Sequence, residues 1–372
     1  MLSCGEPSGD LYAGALAREL AALDARVRIC GLGGPALAAA GAEIVADYRG
    51  LAVTGLTEAL ATIPRSLAVL RRLVGRASRD RPDALVVIDF PDFNFRLAHR
   101  IKRLGIPVVY YISPQLWAWR RGRLRTMKRI ADRVLVIFPF EEAIYREAGI
   151  PVSFVGHPLI DLARSGDAAA FRQQCAVPPD VPLVAILPGS RPNEVRRILP
   201  GLLEAAARIR ARLPQTRFVI ARAPDLDHNL FDIPGARLEG LAVVERQTDE
   251  ALGAADLALT ASGTATVQAA IHDTPMVIVY RVSPLSYQVL RRLVRVDSIG
   301  MVNLIAGERI VPELVQDAFT PEAVASEAVA ILTDTARRER IARGLARVRD
   351  RLGAPGASRR AAQAVLAMLE GA

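Results

Sequence analysis

Leu183-Val-Ala-Ile-Leu187 is an unbroken apolar run closed by Pro188-Gly189-Ser190-Arg191-Pro192-Asn193. Such a run suits a strand buried on both faces and is too short for a helix. From Glu194 the spacing changes. Leu202, Leu203, Ala206, Ile209 and Leu213 recur at helical intervals, and Pro200 is expected to divide that helix. A strand followed by a glycine turn and a helix is the building unit of parallel α/β folds. The same succession recurs in both halves of the chain. It opens at Met1–Cys4, returns at Ala84–Ile88 and Pro107–Ile112, and appears again at Leu257–Thr260. A chain written in this unit is confined to parallel sheets covered by helices.

The turn after Leu187 has a chemistry of its own. Gly189 lets the backbone approach a ligand, Ser190 offers a hydroxyl, and the first free N–H groups of the helix favour negative charge. Arg191 adds a two-pronged donor that suits phosphate. On this stretch alone a diphosphate site and an ordinary turn with a solvated arginine stand level. Ser262-Gly263-Thr264, after the strand ending at Thr260, supplies a second set of hydroxyls and free N–H groups at a strand's carboxyl end. Two such turns on one sheet edge strengthen the diphosphate reading.

The length, 372 residues, argues for two domains. The net charge of +9 is carried almost wholly by arginine, since Lys102 and Lys128 are the only lysines. That balance suits nucleic acid, anionic lipid or phosphorylated small molecules. Cys4, Cys30 and Cys175 are too few and too scattered for a disulfide framework or a zinc site. No stretch is long and apolar enough to cross a membrane.

In chain order, Gly5-Glu-Pro-Ser-Gly-Asp10 is a turn that departs from the dinucleotide glycine pattern. A strand at residue 1 leaves room for sequence upstream. Arg28–Cys30 is read as a strand and Gly31–Pro35 as a second glycine turn. In Leu51–Arg81, Leu56, Leu60, Ile63, Leu67 and Leu70 recur at helical spacing, with Pro64 as an interruption and Arg71 and Arg72 close by. This amphipathic basic pattern suits either an anionic membrane surface or a core-facing helix. Asp89 ends a buried strand, where ligands of open α/β sheets bind, and Asp92 is placed at a helix start. Both tryptophans fall in Ser113–Trp119, ahead of the basic run Arg120–Arg133. Arg133–Phe138 and Val152–Val155 are further strands, and Glu141–Ala148 a helix. Gly156-His157-Pro158 breaks the pattern, with His157 read as structural. Strands are expected at Phe218–Ala221 and Met276–Val279. Asp225 and Asp227 outline a DxD pair, but no metal is predicted. Ser286–Arg295 is a second basic amphipathic segment, and Glu322–Met368 is mainly helical.

Seven segments together resemble one family. They are Gly5–Asp10, Ile88–Asn94, Ser113–Trp119, Phe154–Pro158, Leu187–Arg191, Ala261–Ala265 and Asn303–Gly307. In order and spacing they resemble lipid-A-disaccharide synthases, inverting glycosyltransferases of the GT-B fold. The resemblance implies two Rossmann-like α/β domains whose parallel sheets face a central cleft. The domains would be 1–156 for the acceptor and membrane side, 157–345 for the UDP-sugar donor, and 346–372 a C-terminal helix packing back on the first. It implies transfer from UDP-2,3-diacylglucosamine to 2,3-diacylglucosamine 1-phosphate, without metal or cofactor, at the cytoplasmic face of the inner membrane.

The resemblance makes Asp89 the general base and Gly189, Ser190, Arg191, Ser262, Gly263 and Thr264 the UDP site. Asn303 becomes a donor-side residue, and Glu6 and Ser8 line the cleft near the sugar. Gln268 stands where a ribose-binding glutamate is expected, and an amide accepts more weakly. Leu56, Leu60, Ile63, Leu67, Leu70, Arg71 and Arg72 would meet membrane or acyl chain. A homodimer is compatible with the sequence. The alternatives are another GT-B UDP-sugar transferase or epimerase, and a non-enzymatic nucleic-acid binder. The last is disfavoured by the few aromatics among the basic runs.

Overall fold

The computed structural model describes residues 1–51, 56–114, 116, 121–163, 166–224, 226–232, 240–283, 287 and 298–370, with backbone alone at 56–62 and 121. The chain divides into two compact units. The first joins Met1–Asp161 to Leu352–Ala372, and the second is Leu162–Arg351.

Among the described residues the first unit holds seven strands. They are β1 (Leu2–Cys4), β2 (Cys30–Gly33), β3 (Glu43–Asp47), β4 (Leu85–Ile88), β5 (Val108–Tyr111), β6 (Arg133–Val136) and β7 (Val152–Phe154). Every pairing is parallel, in the order β3-β2-β1-β4-β5-β6-β7. Helices α1 (Pro7–Leu23), α2 (Pro35–Ala39), α3 (Leu56–Asp80), α4 (Pro91–Lys102), α5 (Leu124–Ile130) and α6 (Pro139–Glu147) connect them, and α7 (Leu159–Leu162) follows β7 where the chain passes into the second unit. The last helix of the chain, Ala357–Glu370, packs on α1 through its buried Ala357, Ala361, Ala362 and Val365.

The second unit holds β8 (Leu183–Leu187), β9 (Arg217–Arg222), β10 (Leu241–Glu245), β11 (Leu257–Ala261), β12 (Met276–Tyr280) and β13 (Glu313–Val315). They are also all parallel, in the order β10-β9-β8-β11-β12-β13. Its helices are α8 (Ala168–Gln174), α9 (Pro192–Arg212), α10 (Thr248–Ala254), α11 (Thr264–Ile271), α12 (Met301–Ala306), α13 (Pro321–Thr333) and α14 (Thr335–Arg351). The C-terminal helix is then α15.

Several expectations change. Pro64 and Pro200 interrupt nothing: α3 and α9 run through them. A proline removes one helical hydrogen bond. In α9 the buried Val195, Ile198, Leu199, Leu202, Leu203 and Ile209 lie on both sides of Pro200, and their burial outweighs that loss. Gly31–Gly33 belongs to β2 rather than to a turn. A Cβ on Gly31 would lie 1.8 Å from the carbonyl oxygen of Leu2, so the glycine admits β1 alongside. Leu70, expected at a membrane, is only 1% exposed and packs in the core with Leu73, Leu85, Val87 and Leu97. Leu67 lies partly buried against the same cluster. Ile63 is exposed, as are Arg71 and Arg72. The side chains of Leu56 and Leu60 lie outside the described residues, as do Trp117–Arg120, Asp225 and most of Ser286–Arg295. Asp227 accepts a hydrogen bond from the Asn229 amide at 3.0 Å and caps a short turn.

Candidate active site

In the first sheet the strand order reverses between β1 and β4. Ligands of open parallel sheets bind outside the carboxyl ends of strands at such a reversal. Cys4 pairs with Ile88, so the turns beginning at Gly5 and Asp89 leave the sheet side by side. They interlock: a Cβ on Gly5 would lie 2.1 Å from Cδ1 of Phe90, so the Phe90 ring takes the room that glycine leaves.

Asp89 and Phe90 both adopt left-handed backbone, with φ of 44° and 49°. Such a conformation costs on the order of 1 kcal/mol or more per residue and persists where surrounding contacts enforce it. Those contacts are present. The Nδ2 of fully buried Asn94 reaches the carbonyl oxygens of Asp89 (2.8 Å), Ile88 (3.2 Å) and Ser3 (3.3 Å). Its Oδ1 accepts from the Ser3 hydroxyl at 2.7 Å. The Tyr110 hydroxyl donates to the Asp89 carbonyl at 2.9 Å. Burial first, and the Asp89 charge second, push the Tyr110 phenol well above its ordinary value, so it stays a donor. The Asp89 side chain itself is half-buried.

Glu6 occupies the N-cap position of α1 and Ser8 its first turn, both half-buried. The acid that ends this motif has another task. Asp10 accepts hydrogen bonds from the amides of Gly34 (2.7 Å), Ala36 (2.8 Å) and Leu37 (3.2 Å), and so caps α2. His157 is buried between Tyr12 and Phe138, and burial lowers its pKa to about 3. Its Nδ1 accepts from the Leu159 amide at 3.2 Å, which fixes a neutral ring.

The second sheet reverses between β8 and β11. Thr260 pairs with Leu187, which puts the turns bearing Gly189–Arg191 and Ser262–Thr264 at adjacent strand ends. The first turn already holds a carboxylate. Glu194, in the first turn of α9, accepts from the Ser190 amide at 3.1 Å and from the Arg191 guanidinium at 3.0 Å. Gly189, at φ of 120°, makes room for it, because a Cβ there would lie 2.7 Å from Oε2 of Glu194. Tyr280 ends β12 close by; burial and then the Glu194 charge raise its phenol, against the opposing pull of Arg191. Ser262 donates its hydroxyl to the Ile299 carbonyl at 3.1 Å, while Gly263 and Thr264 are exposed. Gln268 directs its amide nitrogen to Asp249 at 3.3 Å, a carboxylate that His272 also approaches at 3.0 Å.

Asn303, expected on the donor side, is turned inward. It is 2% exposed. Its nitrogen donates to the Val311 carbonyl (2.9 Å) and to Glu313 (2.6 Å), and its oxygen accepts from the amides of Ile310 (2.9 Å) and Val311 (3.1 Å). These bonds use both of its N–H donors and both lone pairs of its oxygen. Glu313 in turn accepts from the amides of Ile299 (2.9 Å) and Gly300 (3.1 Å). Asn303 therefore fixes the backbone on which Ser262 rests. Asn94, Tyr110, Glu194 and Asp10 carried no role in the sequence reading. Their only signal was membership of, or closeness to, the motif stretches.

Two parallel-sheet units, each with its polar turns at the strand-order reversal, have the fold of the GT-B glycosyltransferases and UDP-sugar epimerases. The glycotransferase of kitacinnamycin aligns over 99% of this chain and 98% of its own at a TM-score of 0.67 and 19% identity. The UDP-GlcNAc 2-epimerase from Neisseria meningitidis aligns over 100% and 98% at 0.69 and 12% identity. The family described as lipid-A-disaccharide synthetase matches residues 1–368. The lipid-A-disaccharide synthase of Myxococcus xanthus (strain DK1622) is 45% identical over 99% of this chain and 97% of its own. That of Syntrophus aciditrophicus (strain SB) is 42% identical over 100% and 97%. The chain belongs to the lipid-A-disaccharide synthetase family. It is a hexosyltransferase of lipid A biosynthesis.

Proposed function

We propose that the chain joins UDP-2,3-diacylglucosamine to 2,3-diacylglucosamine 1-phosphate by a single inverting displacement, with Asp89 as general base. The Asp89 carboxylate takes the proton of the acceptor's attacking hydroxyl as that oxygen bonds to the donor's anomeric carbon. The bond to UDP breaks and UDP departs with the electron pair. Arg191 and the amides of Ser190, Gly263 and Thr264 receive the charge gathering on the diphosphate. Glu6 and Ser8 serve the sugar beside Asp89, and Asn303 serves the donor side by bracing the Ser262 turn. Gln268 meets the ribose through its amide oxygen.

The observation that carries this reading is the left-handed turn at Asp89, placed at the strand-order reversal and enforced by Asn94 and Tyr110. Strain of this kind collects at functional sites. The test is Asp89→Asn. Mass spectrometry of the products should show loss of the disaccharide, while calorimetry shows UDP binding close to wild type. Retained turnover would remove Asp89 from the role.

The reading places the enzyme on the anionic inner-membrane face from the cytoplasmic side. Exposed Ile63, Arg71 and Arg72 on α3 support it. No helix among the described residues is long and apolar enough to cross a membrane.

A further inference from the structure

We propose that the second unit carries another phosphate site, an arginine-lined cavity distinct from the nucleotide turns. The cavity is an open cleft of about 770 Å³, within the range of small-molecule sites. Its walls are the segment Glu308–Pro312 leading into β13, β13 itself, Ala318, Glu327 of α13 and one face of α14. The cavity runs along β13, the edge strand of the second sheet, from Glu308 before it to Ala318 after it. The turns at Gly189–Arg191 and Ser262–Thr264 follow the central strands β8 and β11 and line no part of it.

The lining charge is positive. Arg309, Arg337, Arg340, Arg343 and Arg347 face Glu308, Glu313 and Glu327. Arg337 pairs with Glu327, and Arg347 with Glu308. Glu313 is spent on the amides of Ile299 and Gly300 and on Asn303, while Arg309 donates to the Glu313 main-chain carbonyl at 2.6 Å. Arg340 has no hydrogen-bond or ion-pair partner among the described residues, and Arg343 meets only Glu339, at 3.7 Å. Arg340, Arg343 and Arg347 stack along one helix face, opposite the buried Leu345 and Val348.

The wall is held in place without a ligand. Gly344 lets Ile310 pack directly on α14, since a Cβ there would lie 2.9 Å from Cβ of Ile310. A preformed polar cavity with uncommitted guanidinium forks is complementary to phosphate oxygens. The ligand class is a compound bearing one or two phosphates, either free or as the headgroup of an anionic phospholipid.

The probe is inorganic pyrophosphate, titrated calorimetrically into the full-length protein already saturated with UDP, so that the nucleotide turns are filled. Wild type should bind it, more weakly as salt rises. Arg340→Glu/Arg343→Glu should lower that affinity at least tenfold and leave the UDP affinity unchanged. Both side chains are exposed, and Arg340→Gln/Arg343→Gln, with a smaller loss in the same direction, separates charge from misfolding. Sedimentation with phosphatidylglycerol-containing vesicles distinguishes the sources. Vesicle binding lost with the charge reversal assigns a headgroup, and vesicle binding kept while pyrophosphate binding is lost assigns a free phosphate compound. No pyrophosphate binding to the UDP-saturated protein, or equal binding by the double variant, would overturn the proposal.

Discussion

The carboxamide of Asn94 donates a hydrogen bond to the main-chain carbonyl of Asp89 at 2.8 Å. The same side chain holds Ser3 in β1, so one buried residue joins the two turns at the strand-order reversal. Asn94→Ala would leave the Ser3 hydroxyl and the Asp89 carbonyl short of partners, at about 1–3 kcal/mol. Turnover should drop at least tenfold with UDP affinity unchanged, and urea unfolding should register the stability loss. A variant that keeps full turnover would mean that Asp89 does not depend on this clasp.

Glu194 accepts from the Ser190 amide and the Arg191 guanidinium, the same donors that the proposed diphosphate site would use. Glu194→Gln removes the internal anion and should tighten UDP binding about two- to fivefold, the scale of an exposed ion pair. Arg191→Ala should weaken it about 10- to 100-fold, the scale of a lost charge-assisted bond. Calorimetry at fixed ionic strength reads both. Weaker binding by Glu194→Gln would show that the carboxylate organises the turn for its ligand instead of occupying its place.

On α3 the inward and outward residues should separate cleanly. Leu70→Ala opens a hole in the core and should cost about 2–5 kcal/mol in urea unfolding, with vesicle binding unaffected. Ile63→Asp with Arg71→Ser and Arg72→Ser should leave stability nearly unchanged and reduce sedimentation with anionic vesicles at low salt. Equal sedimentation would remove this face from the membrane.

His157 makes stability fall on acidification. Burial lowers its folded pKa to about 3, below the ordinary 6.5. The unfolded chain therefore binds one more proton between those values. The contribution is complete above pH 6.5 and is lost progressively as pH falls towards 3. Denaturant midpoints at pH 7.5, 6 and 5 should decline less steeply in His157→Gln than in wild type.

The strands that position the site could be read because β4 and β8 are unbroken apolar runs, and β11 is apolar but for buried Thr260, in the middle of their sheets. The edge strands β3, β10 and β13 carry Glu43 and Asp47, Glu245, and Glu313, and their mixed polarity hid them. Proline and glycine misled where tertiary packing overrode local preference, as at Pro200 and Gly31. Asp89 and Arg191 could be singled out as candidates because a strand end fixes where a side chain can work. Asn94 could not, since its main partner Ser3 lies 91 positions away. Glu194 could not because its sequence position is that of any acid in a first helical turn. The inward bonds of Asn303 could not be read either, because a resemblance names a residue without saying which way it faces.

The last helix, Ala357–Glu370, belongs with α1 in a body that otherwise ends at Asp161. During synthesis the ribosome must deliver all of 162–351 before that piece emerges. The body begun first is thus the last to be finished, and its opening helix must wait with an apolar flank uncovered while the later body folds.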